Sequence, residues 1–574
     1  MPIEIPELST RATSTPASQR VVEVEGGALR DDVDAQIESV VVVDRLAMPD
    51  TFCVIFRDPQ RDILERAGCE VGKKLTISTA ASTEDVPQPL IEGEITSIEA
   101  DYDAIGSRAV VRGYDLSHRL NAGRRTQTFQ NVKYSDIARQ IASDAGLTPE
   151  VDQSEGTFEH VIQANQSDLE FLLGIAKRIG FDCRVEGSGL KFKKPTESST
   201  APGEGDFQSA RPEELVWNDN LIEFRARMSA VGQVADVKVR GWDVDKKEAV
   251  IGQADVSATN AELSTAAADL AGKVGGKTLV VVDRPVGTQE AADALAAARA
   301  EQVGSAAFEA TAVAIGSPAL KAGIAVSVTG VDAALEGKWV VSTSRHEFGN
   351  GSYTTHLECT GRQDRSLHGL VSNGLPGGSA ADTARIAGLV IAIVTNNDDP
   401  DERGRVKLKY PWLGDDVESS WARIAMPGAG PDYGMAWVPQ VGDEVLVGFE
   451  HGDIRFPYVL GGLWNGKDAA PLGDRLLDAG NVKRSGFVSR KGHMFVFFDG
   501  DDESGVAILS QDGKFRVSLN ETKGQLHIKA DGKLVIEAQS LEIKVDTDAK
   551  IQATGVNLEA SGQLKIKGAT VALN

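Results

Sequence analysis

The sequence predicts a mainly β protein with some helix, built from several domains. Its 574 residues are enough for roughly three to five domains of ordinary size. Short β-branched runs bounded by turn-forming residues, at 37–44 and 51–58, are typical of strands. The 59 glycines and an aromatic content of 6% favour turns and small-residue packing over bulky cores.

Charge and composition exclude several classes of function. The net charge of −24 and the lack of any Lys/Arg block argue against a nucleic-acid binder, which needs a concentrated basic face. No apolar run reaches the ~18 residues that cross a bilayer, and residues 1–18 lack the pattern of a secretory signal. The 4 cysteines are too few for a disulfide framework. We therefore expect synthesis and assembly in the cytoplasm, and no nucleic-acid partner.

Two segments carry the signals of helix ends. Residues 134–147 place apolar residues on one face, with Ser135 at the predicted N-cap. In residues 167–180, Ser167 precedes Glu170 in the capping-box pattern. Both segments are predicted to be helices.

A short internal repeat links two distant segments. Residues 109–115 (AVVRGYD) and 237–243 (VKVRGWD) each place a strand before Arg-Gly-aromatic-Asp. The match suggests two related β-modules within residues 21–365, which would be a duplicated architecture. An Ala-rich helix is predicted over about 288–304, after the second copy.

The chain from Gln525 onward alternates apolar and polar residues in short runs separated by turns. The apolar positions are even-numbered at first, odd-numbered in the middle and even-numbered again, and each change falls at a turn, so one face stays inward. The residues that we expect to form this core are Leu526, Ile528, Leu534, Ile536, Ile543, Val545, Ile551, Leu558, Leu564 and Ile566.

One apolar stripe on such short strands cannot close a core within a lone meander. A rod of three intertwined copies would bury the stripes, and the small aliphatic residues indicate a narrow interior. A single-chain solenoid would also bury them and stays open as an alternative.

Several segments resemble one family. Residues 404–424 and 437–468 resemble the oligonucleotide/oligosaccharide-binding (OB) barrel of contractile-injection spike proteins, and residues 489–513 resemble the ramp that follows it. Residues 90–102 and 163–183 resemble the phage late-control D protein and the hub half of VgrG. The barrel resemblance is carried by Pro439, Gly442, Asp443, Glu444, Gly452, Asp453 and Pro457, among others. The chain is thus similar to VgrG-like central spike proteins.

This resemblance implies a homotrimer with duplicated β-barrel hub modules, an OB-type barrel and a C-terminal intertwined trimeric β-helix, the needle. It implies as partners an inner tube protein, baseplate proteins and a PAAR-type tip protein, with or without effector cargo. The target membrane would be contacted only mechanically, by a phage tail-like particle. We expect the tip protein to dock on Val571, Ala572, Leu573 and Asn574, where strand edges and an apolar centre need a cover.

The expected domain boundaries follow composition and resemblance together. They are a flexible leader (1–20), the hub (21–365), a linker (366–387), the OB barrel (388–466), a second linker (467–486), and the ramp with the β-helix spike (487–574).

Three motifs imitate chemical sites. Residues 271–278 (AGKVGGKT) fit a loose phosphate-loop pattern, but a helix is predicted before them and a strand after them, the reverse of a phosphate loop. The acidic runs 396–404 and 499–505 lack the ligand spacing of an EF-hand. His527 lies on the polar face of its strand, and Gly-x-Ser-x-Gly is absent. We expect no catalytic residue, cofactor or metal.

The leading hypothesis is a structural spike and hub that nucleates the baseplate and tube and punctures an envelope, without enzymatic activity. The alternative is a trimeric β-helical fibre or adhesin that binds a cell surface. An ATP- or metal-dependent enzyme would rest on the imitating motifs alone. A phage tail, a type VI secretion system and an extracellular contractile particle all stay open.

Overall fold

The computed structural model describes residues 19–80, 86–104, 106–203, 211–349, 351–361, 385–473 and 476–572. The chain forms two compact units, Met1–Leu463 and Trp464–Asn574. Strands predominate over helices, which confirms the expected mainly β fold with some helix. The finer domain boundaries stay a prediction. The parts of the first unit are the first β-module (19–115), the α/β insert (116–195), the second β-module (196–361) and the barrel (385–463).

The first β-module carries alternating apolar residues on long strands. On the strand over residues 37–45, Val40 and Val42 are fully buried while their neighbours are half-buried, so one face is covered. Both predicted strands of this region are confirmed. The elements are β1 (Gln19–Val24), β2 (Gly27–Ala28), α1 (Asp31–Asp34), β3 (Ile37–Arg45), β4 (Thr51–Arg57), α2 (Ile63–Ala67), β5 (Lys74–Ala80), β6 (Gln88–Tyr102) and β7 (Ser107–Asp115).

The α/β insert has its own apolar core and confirms the predicted capping box. Ser167 Oγ accepts the Glu170 N–H at 3.1 Å, and Glu170 Oε2 accepts the Ser167 N–H at 3.1 Å. These bonds satisfy two donors where the helix begins. The elements are α3 (Ser117–Leu120), β8 (Arg125–Val132), α4 (Tyr134–Asp144), β9 (Thr148–Val151), β10 (Phe158–Gln166), α5 (Asp168–Ile179), β11 (Asp182–Glu186) and β12 (Gly189–Lys193).

The predicted N-cap of α4 was wrong by two residues. The helix begins at Tyr134, after Lys133, whose backbone N–H donates to Asp136 Oδ2 at 3.2 Å. Ser135 lies inside the first turn and is buried, and its N–H donates to Ser154 Oγ at 3.0 Å. Ser154 thus accepts a hydrogen bond from a backbone N–H group that the first turn of a helix leaves without a partner, and Ser135 is not needed as the N-cap.

The second β-module contains the expected Ala-rich helix and most of the remaining strands of the hub region. Its elements are β13 (Glu214–Val216), β14 (Leu221–Met228), β15 (Asp236–Asp243), β16 (Glu248–Asp255), β17 (Ala261–Leu263), α6 (Ala267–Lys273), β18 (Thr278–Val281), α7 (Gln289–Ser305), β19 (Phe308–Ile315), β20 (Ala325–Thr329), β21 (Gly337–Val340), β22 (Thr343–Gly349) and β23 (Ser352–Cys359).

The two β-modules share one 11-stranded sheet, and the described residues form a separate large core on each side of their junction. The sheet order is β14-β19-β23-β22-β3-β4-β7-β6-β5-β1-β2, and β22 joins β3 with Val42 opposite His346. One core surrounds Val54 and Val111 of the first module and also takes in Phe348 of the second, and the other surrounds Phe308 and Trp339 of the second module. The region expected to be the hub thus contains two β-modules that are joined through one sheet.

The internal repeat does not mark equivalent strands. Its first copy lies on β7, which pairs with β4 and β6 inside the 11-stranded sheet. Its second copy lies on β15, which pairs with β16 and β18 in a separate three-stranded sheet. The seven-residue match is therefore no evidence that the two modules are duplicates of each other.

The barrel is a small five-stranded sheet around an aliphatic core. Val394, Leu408 and Val447 lie in this core, and Ile162 and Ala164 of β10 complete it from the insert. The sheet order is β25-β24-β29-β30-β26. The elements are β24 (Val390–Asn396), β25 (Lys407–Lys409), β26 (Arg423–Ile424), β27 (Ala429–Gly430), β28 (Tyr433–Gly434), β29 (Glu444–Phe449) and β30 (Pro457–Gly462).

The second unit consists of hairpin-linked strands followed by an extended segment. Its sheet order is β33-β34-β35-β36-β37, with neighbours antiparallel. Within the described single chain, residues 531–572 carry no strand. The described residues also hold no helix long and apolar enough to cross a membrane. The elements are β31 (Leu477–Asp478), β32 (Asn481–Val482), β33 (Arg484–Val488), β34 (Met494–Asp499), β35 (Ser504–Leu509), β36 (Phe515–Asn520) and β37 (Gln525–Ala530).

Candidate functional site

One face of the sheet β33–β37 is lined by apolar side chains that meet across the strands. Alternation along each strand puts these residues on one side, and the register aligns them in two rows. The first row is Phe487, Phe495, Ile508, Val517 and Ile528, and the second is Phe497, Val506, Leu519 and Leu526. We call these nine residues the apolar face.

The apolar face is open to solvent in the single chain. Val506 is half-buried, and the other members expose from 36% at Phe495 to 63% at Leu526. Exposed contiguous apolar surface of this kind marks an interaction site in soluble proteins. Fully burying one such side chain stabilises a structure by about 1.5–3 kcal/mol.

The middle of the opposite face of the same sheet is buried within the chain. Val496, Ala507 and Ser518 form its central row and are almost completely buried. Longer side chains flank this row, and the Arg484 guanidinium lies 4.8 Å from the centre of the Phe498 ring. The chain therefore buries the middle of this face and leaves the apolar face uncovered.

The predicted core residues divide into two groups. Leu526 and Ile528 join the apolar face, whereas the others lie along residues 531–572 and expose from 48% at Val545 to 82% at Ile551. The others are Leu534, Ile536, Ile543, Val545, Ile551, Leu558, Leu564 and Ile566. Their packing into a β-helix stays a prediction.

The predicted tip is described only in part. Val571 is 52% exposed and Ala572 is exposed. Leu573 and Asn574 lie outside the described residues. The docking role of this segment stays a prediction.

The phenylalanines of the apolar face were missed by the sequence analysis. Phe487 and Phe495 stack with ring centroids 6.4 Å apart, and Phe495 meets Phe497 edge-on at 5.0 Å. The alternation of apolar residues along β36, next to the continuous apolar runs of β34 and β35, was a signal that could have found them. The stripe thus begins about 40 residues earlier than Gln525, at the start of the sheet.

Asp453 of the barrel motif forms a buried ion pair with Arg455. Arg455 donates from Nη2 to Asp453 Oδ2 at 2.6 Å and from Nε to Oδ1 at 3.0 Å. Burial alone would raise the pKa of Asp453, but the Arg455 charge and its hydrogen bonds lower that pKa to about 2. Gly452 precedes the pair at φ 78°, and a Cβ there would lie 3.1 Å from the Ile386 carbonyl oxygen.

The other barrel-motif residues shape a turn and its strands. Asp443 Oδ2 accepts the Gln440 N–H at 2.8 Å, and Gly442 between them has φ 97°. The carbonyl of Pro439 accepts the Asn397 amide at 3.1 Å. Glu444 begins β29 and Pro457 begins β30. We therefore infer that these residues hold the turn and the strand ends of the barrel in place.

The glycine-rich segment 271–278 lies after a helix and before a strand, as predicted, which is the reverse of the order in a phosphate loop. Helix α6 ends at Lys273, a turn follows, and β18 begins at Thr278. The helix thus enters the glycine-rich turn with its C-terminal end, where carbonyl groups rather than N–H groups point outward. This arrangement does not favour a bound phosphate.

The acidic run 396–404 is a loop organised by one carboxylate. Asp399 accepts the backbone N–H groups of Arg403 at 3.0 Å and Arg405 at 3.2 Å, and it pairs with the Arg405 side chain at 2.7 Å. These hydrogen bonds, led by that from the Arg405 side chain, hold the pKa of Asp399 far below its usual range. The described residues hold no group of three or more His, Cys, Asp or Glu side chains suited to a metal ion.

A groove of about 1780 Å³ opens between the second β-module, the insert and the barrel. Its walls carry aromatic side chains such as Trp242 and Trp437, together with several arginines. Arg405 and Arg455 of these walls are already paired with carboxylates. We assign no chemistry to this groove.

A family model described as the type VI secretion system/phage-baseplate injector OB domain matches residues 390–464. The spike protein VgrG5 of Pseudomonas aeruginosa is 40% identical over 95 residues, which are 15% of this chain and 12% of VgrG5. The chain is VgrG-like. A second family model, described as the Alg8 N-terminal domain, matches residues 71–350 of this VgrG-like chain.

Two further comparisons agree with the VgrG-like character. The actin cross-linking toxin VgrG1 of Vibrio cholerae is 27% identical over 154 residues, which are 25% of this chain and 14% of that protein. The half-lidded Francisella PdpA-VgrG complex has a chain with the same fold, at a TM-score of 0.53 and 8% identity, covering 89% of this chain and 88% of that chain. The aligned regions span between 7% and 20% of the first curated relatives.

Proposed function

We propose that this chain is the structural central spike and hub of a contractile injection machine and acts by mechanics, without catalysis. The machine is a phage tail, a type VI secretion system or an extracellular contractile system. The observation that carries the proposal is the open apolar face in a chain that also has a VgrG-like hub region and OB barrel. A fibre or adhesin would need the apolar face but not these two parts, so the spike is favoured.

The partner that covers the apolar face is, in this proposal, two further copies of the chain. A symmetric homotrimer presents the same face from each copy to one axis, and the stripe of small aliphatic residues along 531–572 suits a narrow interior. Folding of the second unit and assembly are then one event, because the apolar side chains gain cover only from other copies.

The experiment that tests this proposal uses two neighbouring residues on opposite faces of β37. Ile528→Asp places a carboxylate on the apolar face, and His527→Asp places one on the opposite face, at a position that is exposed. We expect light scattering to give three times the 61.0 kDa chain mass for the wild type and for His527→Asp. Ile528→Asp should lower that mass. Equal masses for the two variants, or a monomeric wild type, would contradict the proposal.

The remaining partners are proposed from the family resemblance. They are an inner tube protein and baseplate proteins at the hub, and a PAAR-type tip protein at Val571, Ala572, Leu573 and Asn574, with or without effector cargo. Contact with the target membrane is mechanical, and assembly takes place in the cytoplasm. Deleting residues 570–574 should abolish co-purification with a tip protein while the trimer persists. Undiminished co-purification would place the docking surface elsewhere.

A further inference from the structure

The outer side of the barrel sheet carries apolar residues as well as its inner side. Ala392 and Val445 lie in the barrel core, so their neighbours Ile391 and Leu446 point outward from the sheet. The register sets Ile391 directly opposite Leu446. Two apolar side chains therefore lie together on the outer surface of β24 and β29.

Three further apolar side chains extend this pair. Leu389 and Leu460 meet above Gly448, because a Cβ added there would lie 3.2 Å from Leu389 Cδ2 and 3.7 Å from Leu460 Cδ1. The indole N–H of Trp412 donates to the Ile391 carbonyl at 3.0 Å, so the Trp412 ring borders the pair. We call the five residues together the barrel patch: Leu389, Ile391, Trp412, Leu446 and Leu460.

The barrel patch is open to solvent in the single chain, although the sheet behind it is well packed. Leu389 is 56% exposed and Leu460 is 44% exposed. Contiguous exposed apolar surface marks an interaction site in soluble proteins. Because the barrel has its own core around Val394 and Val447, a partner on the patch would contribute to assembly and not to the folding of the barrel.

Opposite charges flank the next row of the same outer surface. Ile393 lies between two core residues and points outward, and the register sets it opposite Lys409 on β25 and opposite Glu444 on β29. A positive group thus lies on one side of this row and a negative group on the other. When copies of one surface pack around a threefold axis, one side of each copy meets the other side of the next. This charge pattern is therefore complementary to itself.

A second copy of the chain is favoured over an unrelated partner on the patch. The proposed assembly of the second unit already gathers three copies, and each barrel is joined to that unit in sequence, since β30 ends at Gly462 and the second unit begins at Trp464. Such tethering raises the effective concentration of one barrel near the others to roughly the millimolar range. Even a small apolar patch is then buried.

We propose that the barrel patches of three copies pack against one another around a threefold axis, with Lys409 of one copy facing Glu444 of the next. This inference rests on the proposed homotrimer and adds a contact between copies within the first unit. It assigns this outer surface of the barrel to assembly rather than to a tip protein or cargo.

Pyrene attached to an introduced cysteine tests the contact in the full chain, because two pyrene groups emit as an excimer only when they touch. Leu460→Cys places the label on the barrel patch, and Asp398→Cys places it on the exposed loop that follows the other end of β24. The wild-type chain, in which Cys53 is half-buried and the other cysteines are buried, supplies the background. We expect excimer emission from Leu460→Cys and none above background from Asp398→Cys.

Light scattering of the labelled samples separates failure of this inference from failure of the proposed function. A trimer mass without excimer emission from Leu460→Cys, or with equal emission from both labels, would overturn the barrel contact while the proposed trimer stands. A monomer mass would overturn both.

Charge reversal tests how the copies face one another. In the labelled Leu460→Cys chain, Lys409→Glu should bring two negative groups together and reduce the excimer emission. Adding Glu444→Lys to that chain should restore the emission, because the charges are opposite again. Unchanged emission in Lys409→Glu, or no recovery in the chain with both reversals, would overturn the facing of Lys409 and Glu444 between copies.

Discussion

The first unit packs several large apolar cores within one chain, whereas the second unit leaves nearly all of its large apolar side chains open. The first unit contains several apolar cores, one of them shared between the insert and the barrel. Within residues 476–572 the buried hydrophobic side chains are Val496 and Ala507. We therefore expect the first unit to be stable as a single copy, and in our proposal the second unit needs other copies. The predictions below test this difference.

The largest effect is expected where a charge enters the proposed interior of the second unit. Ile536→Asp would bury three carboxylates around a threefold axis, and each unpaired buried charge costs several kcal/mol. The neighbouring change Glu537→Lys lies on the polar side and should be nearly silent. Thermal unfolding of the assembled protein measures both. If the two variants melt at the same temperature, the assignment of inward and outward residues is wrong.

A charge left unpaired in the first unit should lower the free energy of unfolding nearly as much. This loss should not depend on contacts with other copies of the chain. Asp453→Ala leaves the Arg455 guanidinium buried without its carboxylate, and breaking such a pair costs about 3–5 kcal/mol. Denaturant unfolding of the first unit would measure this loss. Asp415→Ala, at a fully exposed aspartate of the same barrel, serves as the control and should change stability little. A loss that depends on protein concentration would contradict the contrast between the units.

The same ion pair predicts a pH dependence that the apolar face lacks. The pKa of Asp453 is about 2 in the folded protein, below its value in the unfolded chain. Its stabilisation is therefore complete above about pH 4 and is lost as the pH falls toward 2, by roughly 2–3 kcal/mol. The nine residues of the apolar face carry no titratable group. Unfolding of Asp453→Asn should lack this component between pH 4 and pH 2, and persistence of the full loss would refute the assignment.

The sequence predicted those features that depend on residues close together along the chain. The capping box of α5 needs only Ser167 and Glu170, and the inward stripe needs only alternation along the chain. The hydrogen bond from the Ala322 N–H to Asp44 could not be predicted, because the two residues lie 278 positions apart in the sequence. The Phe487–Phe495 contact was missed for a related reason: it depends on the strand register, which the hairpins set.

The smallest expected effect lies at the start of α5, in the insert, which has a core of its own. Ser167→Ala removes the acceptor for the Glu170 N–H, and loss of such a cap costs about 1 kcal/mol. The matched change Ser143→Ala, where the exposed hydroxyl bonds to the carbonyl of Arg139 within α4, should cost less. Because the insert packs its own core around Leu172 and Ile175, the loss should be the same at every protein concentration. A Ser167→Ala loss that grows on dilution would mean that the insert also draws its stability from neighbouring copies.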